Sequence, residues 1–155
     1  MEKIVAFFWS VLFTLLFRCA TLVFAITKTR IRGSLVAVWS KGRILLIKKS
    51  YRKAWSVPGG LLKRGETWEQ AAVRELFEEV GIHIKEDTLA YVTEVSGDLG
   101  PHDRARLFQV EIKNHPAIRI DRREISAAEF VAPQEALKRV LDANLSMYLS
   151  RHPHN

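Results

Sequence analysis

The segment 60–82 constrains this chain most, because it reads as a loop, a helix and a stop in close succession. Thr67 has the side chain of an N-cap, and Gln70, three residues on, that of its capping-box partner. Ala72, Val73, Leu76, Phe77 and Val80 recur at helical spacing, and Gly81 is the residue type that ends a helix in the left-handed conformation. The spacing predicts a helix of about thirteen residues. On it, Glu75, Glu78 and Glu79 stand at i, i+3 and i+4, so three carboxylates crowd one face. Like charges so arranged destabilise a helix unless a cation sits among them. Oxygen donors of this kind select hard divalent ions, Mg²⁺ or Mn²⁺, over zinc. A solvated acidic face is the plain alternative.

The flanks speak the language of strands. Residues 34–39 and 43–49 are short aliphatic and β-branched runs separated by Lys41-Gly42, a hairpin signal. A loop over 50–58 leads into Gly59-Gly60. Further strands are expected over 88–95 and 106–112, with a Gly- and Pro-punctuated connection between them that includes His102 and Asp103. Residues 133–149 read as one amphipathic helix with Ala136, Leu137, Val140, Leu141 and Leu145 on its inner side. Behind these elements, His152 and His154 look like a frayed end.

Composition bounds what this can be. The 155 residues, 48% hydrophobic, suffice for one domain with a real core. The single cysteine, Cys19, excludes an internal disulfide framework and a multi-cysteine zinc site. The net charge of +7 is badly mixed: from Lys3 to Gly65 there are thirteen Lys and Arg and no acid. Residues 4–26 are apolar apart from Arg18 and measure roughly 34 Å as a helix, enough for a bilayer core of about 30 Å. Lys28, Arg30 and Arg32 follow, so the positive-inside rule would leave the rest of the chain in the cytoplasm. The same segment could instead lie at the membrane interface, pack on the domain or on a second copy in a homodimer, or serve as a signal peptide.

The pattern Gly60, Glu66, Arg74-Glu75-Leu76, Glu78-Glu79, Gly81-Ile82 resembles the Nudix box at every fixed position, and Trp55-Ser56-Val57-Pro58-Gly59-Gly60 is a fitting lead-in. The resemblance implies an α/β (α+β) fold, a mixed β-sheet sandwiched between α-helices, here preceded by a hydrophobic N-terminal helix. It divides the chain into a helix over 1–27, a Nudix hydrolase domain over 28–150 and a tail over 151–155. It further implies divalent-metal-dependent hydrolysis of a diphosphate linkage in a small nucleoside diphosphate derivative: a nucleotide sugar, ADP-ribose or a modified nucleotide. Glu78 and Glu79 would bind Mg²⁺ or Mn²⁺ with the Gly60 carbonyl, and Glu75 would be a further ligand or the base. Arg74 would orient a glutamate, paired with Glu66; Glu66 and Gly81 are then structural parts of the box. Glu124, in a later segment that also resembles the family, is a candidate loop base. Arg52, Lys53 and Trp55 could meet phosphate and a ring, although Trp55 could equally pack under the helix. A non-catalytic nucleotide sensor and an RNA 5′-pyrophosphohydrolase are the alternatives. Nucleic acid is not the expected partner, and an anionic membrane touching residues 4–26 is.

Overall fold

A computed structural model of the chain describes residues 2–27, 31–97 and 102–151. Strands β1 (Ile31–Ser40) and β2 (Arg43–Lys49) are joined by Lys41 and Gly42, both at positive φ, the hairpin turn whose twist matches that of its strands. β1 begins three residues before the run that the sequence marks. After β2 come β3 (Gly59–Leu61), helix α2 (Trp68–Val80), β4 (Ala90–Ser96), β5 (Asp103–Glu111) and β6 (Ile125–Val131). Two short helices close the chain, α3 (Pro133–Ala136) and α4 (Ala143–Arg151), and α1 (Glu2–Thr27) precedes it.

The sheet runs β4-β5-β1-β2-β6, with β3 paired to the first half of β1. Only β1 and β5 are parallel, from Ile31 opposite Asp103 to Trp39 opposite Glu111. Strand periodicity explains the layers. Val36, Val38, Leu45, Ile47 and Phe108 point to one face and meet Ala72, Leu76 and Val80 of α2. Their neighbours Ala37, Trp39, Ile44, Leu46 and Leu107 point to the other and meet Ala136, Leu145, Tyr148 and Leu149. The central strands therefore read as continuous apolar runs because both faces are covered. The one polar chain in this second layer is satisfied: Trp39 Nε1 donates to Tyr148 Oη at 2.8 Å, which donates to Gln109 Oε1 at 2.9 Å. This is the mixed sheet between helices that the resemblance implies.

Three expectations change. The helix expected over 133–149 is two helices. Between them Trp55 reaches in, its N–H donating to Val140 O at 2.8 Å and its carbonyl accepting from Asp142 N–H at 2.9 Å. Asp142 then caps α4, accepting from Leu145 N–H at 2.7 Å, and Leu137 and Val140 are left exposed. A long-range backbone pairing thus overrides a continuous helical pattern. The strand expected from residue 88 starts at Ala90, because 86–88 form a 3₁₀ turn in which Leu89 N–H donates to Glu86 O. Finally, among the described residues no helix is long and apolar enough to cross a membrane, so the bilayer span and membrane contact expected of residues 4–26 are not supported. Exposed Arg18 interrupts the apolar run, and Phe13, Leu16 and Ala20 lie along a cavity of the domain. His152 and His154, and the middle of the 97–104 connection, lie outside the described residues.

Candidate active site

α2 carries the acids, and local signals fix its ends. Thr67 Oγ1 accepts from Gln70 N–H and Gln70 Oε1 from Thr67 N–H, each at 3.1 Å. Gly81, at φ 72°, donates to Phe77 O. With Leu76 and Val80 in the core, Glu79 turns inward and is buried, Glu75 faces β3, and Glu78 stands half-exposed at the rim.

β3 meets these carboxylates edge-on. Gly59 has φ 154°, and a Cβ there would run into Ser34 and Leu35, so only glycine lets β3 lie this close to β1. A Cβ on Gly60 would lie 2.5 Å from the Glu75 carboxylate carbon. The Gly60 carbonyl faces Gly33, 3.0 Å from where a Cβ on that residue would stand. Of the two glycines it is Gly59 whose carbonyl lies on the acid side, accepting from Lys49 Nζ at 2.9 Å.

Two largely shielded cations, Arg74 and Lys49, organise the acids, and the exposed Lys63 ammonium adds a contact to Glu78 Oε1 at 3.1 Å. Arg74 donates to both oxygens of Glu66 (2.7 and 2.9 Å), to Glu75 Oε1 (2.6 Å), Glu78 Oε2 (2.9 Å) and Leu61 O (2.9 Å). Glu66 is held down to about 2 by its hydrogen bonds from Arg74, against a smaller upward push from burial. Burial raises Glu75 above the usual carboxylate range, although Arg74 opposes it. Lys49, at the end of β2, stands 2.8 Å from Glu79 Oε1 and 3.2 Å from Glu124 Oε1. Burial alone would lower this ammonium, but Glu79, Tyr51 and Glu124 outweigh it and hold Lys49 charged, above its usual range. Burial pushes Glu79 up to about 7, opposed by Lys49 and by the hydrogen bond from Gly59 N–H at 2.9 Å. Tyr51 donates to Glu124 Oε1 at 2.9 Å, and burial raises the phenol to about 12.

Glu124 arrives here because its loop is tied at both ends. Arg119 and Asp121 N–H groups donate to the carbonyls of Val80 and Glu79, and Ser50 N–H donates to Glu124 O at 2.7 Å. A cavity of about 380 Å³ opens beside the cluster, lined by Lys49, Tyr51, Arg52, Gly59, Gly60, Glu75 and Glu124, and walled by Phe13, Leu16 and Ala20 of α1. Phe13 stacks on Tyr51 with ring centroids 6.0 Å apart. An adjoining depression shares Glu75 and Glu124 and reaches Glu78 and Glu79.

Of the residues singled out in the sequence, Gly60, Glu75, Glu124 and Arg52 line the cavity, and Glu78 and Glu79 adjoin it. Lys53 is exposed, and it and Trp55 are absent from the cavity lining. Trp55 packs in the second layer, with the Arg139 guanidinium 4.6 Å above its ring. Glu66 braces Arg74, and Gly81 closes α2. Lys49, Tyr51 and Gly59 were not anticipated. Lys49 had a signal: it follows Leu45 and Ile47 at period two, on the strand face that α2 covers.

The donor set suits a hard divalent ion. Glu79 Oε1 is buried and makes no hydrogen bond of proper geometry, and the Gly59 carbonyl and Glu124 lie beside it. In the arrangement described, however, no three His, Cys, Asp or Glu side chains among the described residues converge closely enough to hold a metal. Arg74 draws Glu75 and Glu78 aside, and Lys49 stands between Glu79 and Glu124. Lys49 thus already places a positive charge among the oxygens of Gly59, Glu79 and Glu124.

Comparison with known proteins gives the family of the chain. An RNA pyrophosphohydrolase of Actinobacillus succinogenes is 42% identical over 55 residues, 36% of this chain and 28% of that protein. A MutT-like protein of Streptomyces ambofaciens is 40% identical over 57 residues, 37% of each. The matched stretch thus spans 28% to 37% of the length of these relatives. A MutT Nudix hydrolase from Burkholderia pseudomallei superposes with a TM-score of 0.67 at 25% identity, over 77% of this chain and 95% of that one. The Nudix domain profile matches residues 29–149, and the chain belongs to the Nudix family.

Proposed function

We propose that this chain hydrolyses the diphosphate linkage of a nucleoside diphosphate derivative, such as a nucleotide sugar, ADP-ribose or a modified nucleotide, with Mg²⁺ or Mn²⁺ as cofactor. The observation that carries the reading is the gathering of Gly59 O, Glu79 and Glu124 around Lys49 beside a cavity that Glu75 also lines. A diphosphate resists attack because its own oxygens repel the nucleophile. A divalent ion supplies the missing charge neutralisation and acidifies water. The residues that would hold it are Glu78, Glu79 and the Gly59 carbonyl, in place of the Gly60 carbonyl expected from the sequence.

Glu124 is the general base in this reading. It faces the cavity, is oriented by Tyr51, and lies outside the Arg74 network that occupies Glu75. Glu75, braced on Gly60 and Arg74, is the further ligand. Arg52 borders the cavity where phosphate oxygens would lie. Relatives named as a pyrophosphohydrolase and as MutT-like support the same reaction class.

The test is phosphate or nucleotide release from a panel of nucleotide sugars, ADP-ribose, nucleoside triphosphates and 5′-triphosphorylated RNA, with Mg²⁺ or Mn²⁺. Wild type is compared with Glu79→Gln and Glu124→Gln. Metal-dependent turnover that collapses in both variants is the expected result. Release from RNA alone, weakening steeply with salt, would replace the substrate class by RNA ends, the reading favoured by the relatives named RNA pyrophosphohydrolase. Tight nucleotide binding without release would leave a sensor.

A further inference from the structure

Lys49 lies outside the Nudix box, yet its ammonium stands among the acids of the site. Its ammonium sits among oxygens from three separate pieces of chain: Gly59 O of β3 at 2.9 Å, Glu79 Oε1 of α2 at 2.8 Å, and Glu124 Oε1 of the loop before β6 at 3.2 Å. The contact with Glu79 Oε1 has the distance of a hydrogen bond but not its angle, since that oxygen is buried without a hydrogen-bond partner. Charge, more than direction, holds the group there, as it holds a metal ion among ligands. The side chain is only 13% exposed, so these oxygens are not competing with bulk water for the ammonium.

We propose that Lys49 is a resident cation of this cluster, which a divalent ion must displace from Gly59 O, Glu79 and Glu124 before the site is loaded. The inference rests on the metal-dependent reading above. It assigns to Lys49 a positioning role: the ammonium keeps two ligands, Gly59 O and Glu79, and the base Glu124 gathered while the metal is away, and lowers the affinity for metal in doing so. Once displaced, Lys49 lies on the wall of the cavity, where it faces whatever anion enters. Metal and anionic substrate are then coupled, because the anion gives the displaced ammonium a new partner.

The experiment measures Mn²⁺ binding to the full-length protein by electron paramagnetic resonance, for wild type, Lys49→Met and Glu79→Gln. Lys49→Met is expected to bind Mn²⁺ at least tenfold more tightly than wild type, and Glu79→Gln to lose the site. A role for Lys49 confined to holding the fold together predicts the opposite sign, weaker binding in Lys49→Met, and that result or an unchanged affinity overturns the proposal. Absence of Mn²⁺ binding in wild type and Lys49→Met alike would overturn the metal-dependent reading itself, and this proposal with it. Should Lys49→Met not fold, the wild-type protein decides through the Lys49 ¹⁵Nζ resonance during a Mg²⁺ titration. Displacement predicts a saturable shift and faster exchange of its ammonium protons; an unmoved resonance at saturating Mg²⁺ overturns it.

Discussion

Replacing Arg74 by Ala tests how the acid cluster is held. The guanidinium makes five hydrogen bonds, four of them to carboxylate oxygens of Glu66, Glu75 and Glu78, and its side chain is 18% exposed. Glu78 is half-exposed, so its share is worth a few tenths of a kcal/mol. Glu66 and Glu75 are 12% and 15% exposed, and removing their partner leaves two poorly solvated carboxylates uncompensated. Breaking one fully buried pair costs about 3–5 kcal/mol, so about 3 kcal/mol is expected for this partly shielded hub. In a chain of this length that lowers Tm by about 6–12 °C. Urea unfolding of wild type, Arg74→Ala, Glu66→Gln and the double variant checks both the magnitude and the coupling. The bidentate contact with Glu66 predicts a coupling of at least about 1.5 kcal/mol. A loss below about 1 kcal/mol, or additive single variants, would refute the reasoning.

Gly60→Ala places a methyl carbon against the Glu75 carboxylate, and the displacement should cost about 1–3 kcal/mol of stability and most of the turnover; calorimetry and steady-state kinetics read the two separately. Thr67→Ala removes the cap that accepts from Gln70 N–H and should cost about 1 kcal/mol in urea unfolding, with the metal affinity unchanged. Acid titration of stability should carry the signature of Glu66. Its folded value, about 2, lies below the ordinary 4.5, so the unfolded chain binds more protons between those values. The contribution is present above pH 4.5 and is lost as pH falls toward 2. It amounts to on the order of 1 kcal/mol after solvent screening, and Glu66→Gln should flatten that part of the curve.

What the sequence disclosed follows from the range of the interactions. α2 falls at Trp68–Val80 as its caps require, because Thr67, Gln70 and Gly81 act within one turn of the residues they terminate. The β1–β2 turn was legible for the same reason. The tail was not, because Trp55 splits it from some eighty-five residues upstream, and no local propensity encodes that pairing. Within the site, the carboxylates of the box were visible as a pattern on one helix face. Lys49 and Glu124 are partners across 75 residues, and only the fold of β2 against β6 brings them together. The basic, acid-free first part of the chain suggested a surface turned to anions. At Lys49 the same charge points inward and meets the chain's own carboxylates.

Crystals grown with Mn²⁺ and measured at the manganese absorption edge would locate the bound ion itself. An anomalous peak is expected within coordinating distance of Gly59 O, Glu79 and at least one of Glu75 and Glu78, with the Lys49 ammonium withdrawn from those oxygens. A peak elsewhere, or none at saturating Mn²⁺ with the Lys49 contacts intact, would contradict that expectation.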